Sequence, residues 1–159
     1  MILDQFSLEG KVAIVTGAGA GLGEAMAIGL AQAGADVAGV DFGNPPETAT
    51  SEIRRLGRRF LAIQADLGSI EPVQRIVDTV VAELGRIDIL VNNAGTIRRA
   101  PALEFTEKDW DDVMNVNLKT VFFLSQAVGR QFLKQGTGGK IVNVASLLAF
   151  QGGILIPSY

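Results

Sequence analysis

A chain of 159 residues that is 48% hydrophobic and 19% charged has the composition of one soluble α/β domain with a buried core. Its formal net charge of -3 predicts no general attraction to nucleic acid or to an anionic membrane. The absence of cysteine and histidine excludes disulfides, thiolate nucleophiles, imidazole bases and the common zinc constellations, and no metal centre is expected. Acid-base chemistry is then left to Tyr, Lys, Asp or Glu, and the single tyrosine is Tyr159. With no basic N-terminal segment and no apolar stretch of membrane-spanning length, a cytoplasmic location is expected.

Taken in order, the apolar run at 12–15 (VAIV) reads as a strand covered on both faces. It breaks into TGAGAGLG and resumes as a helix with Leu22, Met26 and Leu30 on one face, capped by Gly34. Residues 36–41 (DVAGVD) form a second strand, about 46–56 a helix with Pro46 in its first turn, and 60–65 a third strand. Ser69 is the expected N-cap of a helix presenting Val73, Ile76, Val77, Val80, Val81 and Leu84 before Gly85.

Residues 87–91 form a fourth strand that runs into Asn92, Asn93, Ala94 and Gly95. Thr106 with Asp109 resembles a capping box, opening a short helix with Trp110, Val113 and Met114. A longer helix is expected over about 116–133 and a fifth strand at 140–145, with a tail at 146–159 that contains no helix. Strands and helices alternating in this way predict one Rossmann-type domain, a doubly wound parallel sheet ordered 3-2-1-4-5.

In such a sheet ligands sit at the carboxyl ends of the strands, so the informative residues follow each strand. Glycines at a helix start let backbone N–H groups approach a phosphate. The usual G-x-G-x-x-G is absent, since the third glycine fails at Leu22 or Glu24; T-G-x-x-x-G-x-G fits, with Thr16, Gly17, Gly21 and Gly23. Asp41 closes strand two, where an acid accepts hydrogen bonds from the adenosine ribose and repels a 2'-phosphate. Neither Ala20 nor Phe42 offsets that charge, so the expected cofactor is NAD. Asp66 and Leu67 suit the adenine amino group and ring, although a helix-capping Asp explains the same letters. Asn93, Ala94 and Gly95 fall at the expected switch point, where a slim backbone admits the nicotinamide ribose.

Together, T-G-x-x-x-G-x-G, a strand-two Asp, Asp66-Leu67, NNAG, N-x-N at Asn115 and Asn117, and Ser146 with Tyr159 resemble the short-chain dehydrogenase/reductase family over essentially the whole chain. The resemblance implies that Tyr159 is the general acid/base, that Ser146 hydrogen-bonds the substrate oxygen, and that Asn117 holds a water of the proton relay. Within the family, NNAGTIRR, MNVNLKTVFF and SLLAFQGGILIPSY are most similar to the group acting on 2-deoxy- and 2-dehydro-3-deoxy-gluconate, which implies a sugar-acid substrate. Arg98 or Arg99 then stands as the partner of its carboxylate, beside the bland reading of two solvated arginines. Alternatives are another short-chain enzyme, such as a 3-oxoacyl carrier-protein reductase, or a non-catalytic NAD-binding fragment.

The family pattern is Y-x-x-x-K, and here it stops at the Y. An ordinary tyrosine titrates near 10, so a base working around pH 7 to 8 needs a shift of roughly 2 to 3 units, normally from a nearby ammonium. The expectation is a C-terminally incomplete chain, inactive alone, from a protein that forms homo-oligomers. In it strand five is an open edge, and Val121, Phe122, Leu124, Val128 and Phe132 of the long helix lack a neighbour.

Overall fold

In the computed structural model, which describes residues 2–43 and 47–159, five parallel strands make one sheet ordered β3-β2-β1-β4-β5. The strands are β1 (Val12–Thr16), β2 (Asp36–Asp41), β3 (Phe60–Gln64), β4 (Ile89–Asn92) and β5 (Lys140–Asn143). The helices are α1 (Gly21–Gln32), α2 (Glu47–Arg55), α3 (Val73–Leu84), α4 (Glu107–Met114), α5 (Val121–Gln135) and α6 (Leu148–Gln151). A 3-10 turn at Ile2–Phe6 precedes β1. Pro46, expected in the first turn of α2, lies outside the described residues.

β1 is central and buried throughout, because residues of both its faces enter a core. One core joins Val12 and Ile14 to α3 and α5 through Ile76, Val80, Leu124, Val128 and Phe132. The other joins Val15 and Val37 to α1 and α2 through Ala27, Ala31, Ala49 and Ile53. α3 buries the face read from the sequence, with Val81 only partly covered, and ends on Gly85 in the left-handed region. Among the described residues no helix is long and apolar enough to cross a membrane.

The stripe that α1 buries is Gly23, Ala27 and Ala31, whereas Leu22 is 69% exposed and Met26 and Leu30 only flank the core. At Gly23 the helix lies so close to the turn after β1 that only glycine fits, and Ala27 and Ala31 join the core with Val15, Val37, Ala49 and Ile53. Ser69 does not cap α3: its hydroxyl accepts the Glu71 N–H, and the N-cap is Pro72. β4 begins at Ile89; the preceding Asp88 receives the Val12 N–H at 3.0 Å on its side chain, together with a two-point contact from Arg86.

The long helix does not start at 116. Asn115–Thr120 is a π-helical turn linking α4 to α5. On α5, Leu124, Val128 and Phe132 lie under the sheet with no open face, while Phe122 is exposed and Val121 half-buried. β5 ends at Asn143, all four of its residues are exposed, and the tail does contain a helix, the single turn α6.

Candidate nucleotide-binding site

Parallel strands deliver the ends of β1, β2, β3 and β4 to one rim of the sheet, and a cleft of about 600 Å³ opens there. The turn after β1 has Gly17 at φ 67, with its N–H donated to the Val40 carbonyl at 2.8 Å. Gly23 then packs onto that turn: a Cβ on it would stand 1.9 Å from the Gly17 carbonyl oxygen. Ala20, the N-cap of α1, is extended and supplies no side-chain cap, so the start of α1 carries no side-chain acceptor for its orphan N–H groups.

Thr16 closes the switch point. Its buried hydroxyl accepts the N–H groups of Asn93 and Ala94, each at 3.0 Å, and Asn93 Nδ2 donates back to the Thr16 carbonyl at 3.0 Å. The glycine turn and the NNAG turn are therefore one hydrogen-bonded unit. In the sequence Thr16 is only the first letter of T-G-x-x-x-G-x-G. A hydroxyl as the last residue of a central strand, directly before a glycine, is the signal that marks it.

At the far end, Asp41 holds the glycine turn in place: Oδ2 accepts the Gly19 N–H at 2.8 Å and Oδ1 the Gly43 N–H at 3.1 Å. Each oxygen keeps acceptor capacity for a further donor. Asp66 folds one oxygen back onto the Gly68 N–H at 2.8 Å, while Leu67 is buried and its carbonyl receives the Thr120 hydroxyl at 2.8 Å.

The cleft lining brings together Gly17, Asp41, Asp66, Leu67, Ala94, Gly95 and Arg98 of the expected residues. The others lie off it. Gly21 and Leu22 sit exposed at the start of α1, Gly23 is buried behind the turn, and Asn93 serves the Thr16 unit. Asn117 is off the lining too, its carboxamide engaged with Thr96 of the lining, accepting the Thr96 N–H at 2.8 Å and donating to the Thr96 carbonyl at 2.9 Å.

Arg98 is also engaged. Its Nε and Nη2 donate to one Asp112 oxygen at 3.2 and 3.0 Å, and its Nη1 to the Thr96 hydroxyl at 3.0 Å. Lys108 reaches the same Asp112 oxygen at 2.7 Å, and hydrogen bonds from Lys108 first and Arg98 second hold the Asp112 carboxyl below its usual range. Beyond β5, the Ser146 hydroxyl accepts the Leu148 N–H, and Tyr159 is 41% exposed with its N–H on the Ile156 carbonyl. Also unread from the sequence is buried Asn92, whose Nδ2 links Asn143 on β5 at 2.8 Å to Ser125 on α5 at 3.0 Å.

These residues suit a dinucleotide. The glycine turn removes side chains from between a phosphate and the helix start, a carboxylate closes one end of the cleft, and the slim Ala94-Gly95 backbone lines the other. The family of short chain dehydrogenases matches residues 11–159. Over its 159 residues the chain is 61% identical to the 2-dehydro-3-deoxy-D-gluconate 5-dehydrogenase of Escherichia coli strain K12 and spans 62% of that protein's length. A candidate 2-deoxy-D-gluconate 3-dehydrogenase of Agrobacterium tumefaciens, solved with bound NADP, is 48% identical with a TM-score of 0.85, over 97% of this chain and 60% of that one. Carveol dehydrogenase of Mycobacterium avium, solved with NAD, is 30% identical with a TM-score of 0.87, over 96% of this chain and 60% of that one.

Proposed function

The chain belongs to the short-chain dehydrogenase family, and we propose that it forms the cofactor site of an oxidoreductase that passes hydride between NAD(H) and a sugar acid of the 2-deoxy- or 2-dehydro-3-deoxy-gluconate type. The observation that carries the nucleotide part is the cleft at the switch point, with Asp41 at one end and the Ala94-Gly95 backbone at the other. The substrate class is supported by the 61% identity to the Escherichia coli enzyme.

In this reading the glycine turn and the start of α1 receive the pyrophosphate, Asp41 the adenosine ribose, Asp66 and Leu67 the adenine, and Asn93, Ala94 and Gly95 the nicotinamide ribose. The bound cofactor supplies the hydride acceptor or donor. Tyr159 takes the proton of the substrate hydroxyl or returns it to the ketone, and Ser146 hydrogen-bonds the same oxygen. The Asn117 carboxamide serves both backbone groups of Thr96, so a relay water at this side chain uses its second amide hydrogen or the second lone pair of its oxygen. Arg98 reaches a substrate carboxylate only if its guanidinium also keeps, or leaves, Asp112.

NAD rather than NADP is the proposed partner, because the Asp41 carboxylate opposes a 2'-phosphate. Calorimetric titration of NAD+ and NADP+ into the chain tests this. NAD+ should bind at least about tenfold more tightly, a difference of roughly 1.4 kcal/mol, and Asp41→Ser should erase the preference. A parent chain that prefers NADP+ overturns the Asp41 argument. Absence of binding by either nucleotide overturns the site.

A further inference from the structure

The segment that carries Tyr159 is docked on the segment that walls the cleft. After α6 the backbone turns through Gly152 at φ 68, and Leu155 is held at φ 60, the left-handed region that a leucine rarely occupies. Such a conformation persists where its surroundings over-determine it. Here two hydrogen bonds do so: Arg99 Nη1 donates to the Ile154 carbonyl at 3.0 Å, and the Ala100 N–H to the Leu155 carbonyl at 3.0 Å. The next residue, Ile156, is buried, and its carbonyl receives the Tyr159 N–H at 3.2 Å. On the other side, Gly95, Thr96 and Arg98 line the cleft, and Thr96 is clamped by Asn117 on both its backbone groups. The covalent run from 96 to 100 thus joins the cleft wall to the turn before the tyrosine.

The geometry points to Arg99 as a positioning residue for Tyr159: its guanidinium fastens the strained turn at 154–155 to the wall of the nucleotide cleft, so that filling the cleft and placing the phenol are coupled. Arg99 itself lies outside the cleft lining. The consequence for catalysis rests on the reading of Tyr159 as the acid/base, whereas the docking does not. Arg98 and Arg99 therefore differ in kind, one held by the carboxylate of α4 and the other by a carbonyl of the turn.

The single tyrosine of the chain allows a direct test. Labelling the 159-residue chain with 3-fluorotyrosine gives one fluorine resonance, and ADP-ribose serves as the probe because it fills the adenosine and phosphate portions without the nicotinamide ring. The parent should show one line that shifts on saturation with ADP-ribose. Arg99→Met keeps the apolar stem and removes the donors; its line should move, broaden and lose the response to ADP-ribose. Arg99→Lys, which retains a donor, should recover part of both. An Arg99→Met line matching the parent in position, width and response overturns the inference. Should calorimetry detect no ADP-ribose binding to the parent, the nucleotide reading fails. The docking is then decided by the ligand-free lines, with a match between Met variant and parent refuting it.

Discussion

Replacing Gly23 by alanine should push α1 away from the glycine turn. The new Cβ would stand 1.9 Å from the Gly17 carbonyl oxygen, 2.7 Å from its carbon and 2.6 Å from Asn93 Nδ2. Two of these atoms are backbone of the turn itself, so rotating a side chain makes no room, and the helix start must retreat by about 1 Å to restore a tolerable contact. Overpacking of this kind costs about 1–3 kcal/mol. For a chain of this length, that is a fall in Tm of about 2–4 °C per kcal/mol. The same retreat carries the N–H groups of the helix start away from the phosphate position, so ADP-ribose should bind roughly ten- to a hundredfold more weakly, about 1.4–2.8 kcal/mol. Gly29→Ala is the control on the same helix: nothing lies within 4 Å of its Cβ, so it should stabilise by about 0.5–1 kcal/mol and leave affinity unchanged. Urea unfolding followed by circular dichroism gives the stabilities, and calorimetry the affinities. A Gly23→Ala chain with the parent's midpoint and affinity would refute the close packing of α1 on the turn.

The Thr16 hydroxyl receives two N–H groups in a buried position, so Thr16→Val should cost roughly 2–4 kcal/mol and Thr16→Ser should recover most of it; equal urea midpoints for all three would exclude a stabilising role. Asp88 makes the fold sensitive to acid. Burial pushes its carboxyl up, but the Arg86 hydrogen bonds, the Val12 N–H and the charges of Arg86 and Lys11 outweigh that and leave it below its ordinary 3.8. A carboxyl lowered on folding stabilises fully above its unfolded value and loses that contribution as pH falls through the folded one. Unfolding free energy should therefore be insensitive to this group at neutral pH and fall progressively below about pH 4. Asp88→Asn should be less stable at pH 7 by about 1–3 kcal/mol and show a shallower loss in acid; a parallel acid profile in the two chains would contradict the network.

The order of the sheet was legible because each strand is an apolar run closed by a turn, and the period between runs suits a crossing helix. What faced inward was less so. Leu22, Met26 and Leu30 look like a core stripe by size, yet the turn backbone leaves room only for glycine at 23, and Ala27 and Ala31 complete the buried stripe in the core shared with the sheet and α2. The π-helical turn at Asn115–Thr120 has no signature in its letters, since the same residues would suit a straight helix. Of the cleft lining, Asp41, Asp66, Leu67, Ala94 and Gly95 were legible because a place at or just beyond the end of a strand is a property of the chain alone. The clamps could not. Arg98 with Asp112, Asn117 with Thr96, and Asn92 with Asn143 are partners across elements, fixed by register and helix placement that no local spacing reveals.

The open edge at β5 bears on how the folded chain behaves as a colloid. Lys140 and Asn143 flank Ile141 and Val142 on a strand whose four residues are all exposed and whose outer backbone groups can template another strand. With a net charge of only -3 at neutral pH and a pI near 4.9, mutual repulsion between molecules is weak and vanishes on mild acidification. That point lies above the range in which Asp88 takes up its proton. Acidified solutions should consequently turn cloudy with native protein first, and turbidity will precede any unfolding that a spectroscopic titration can follow.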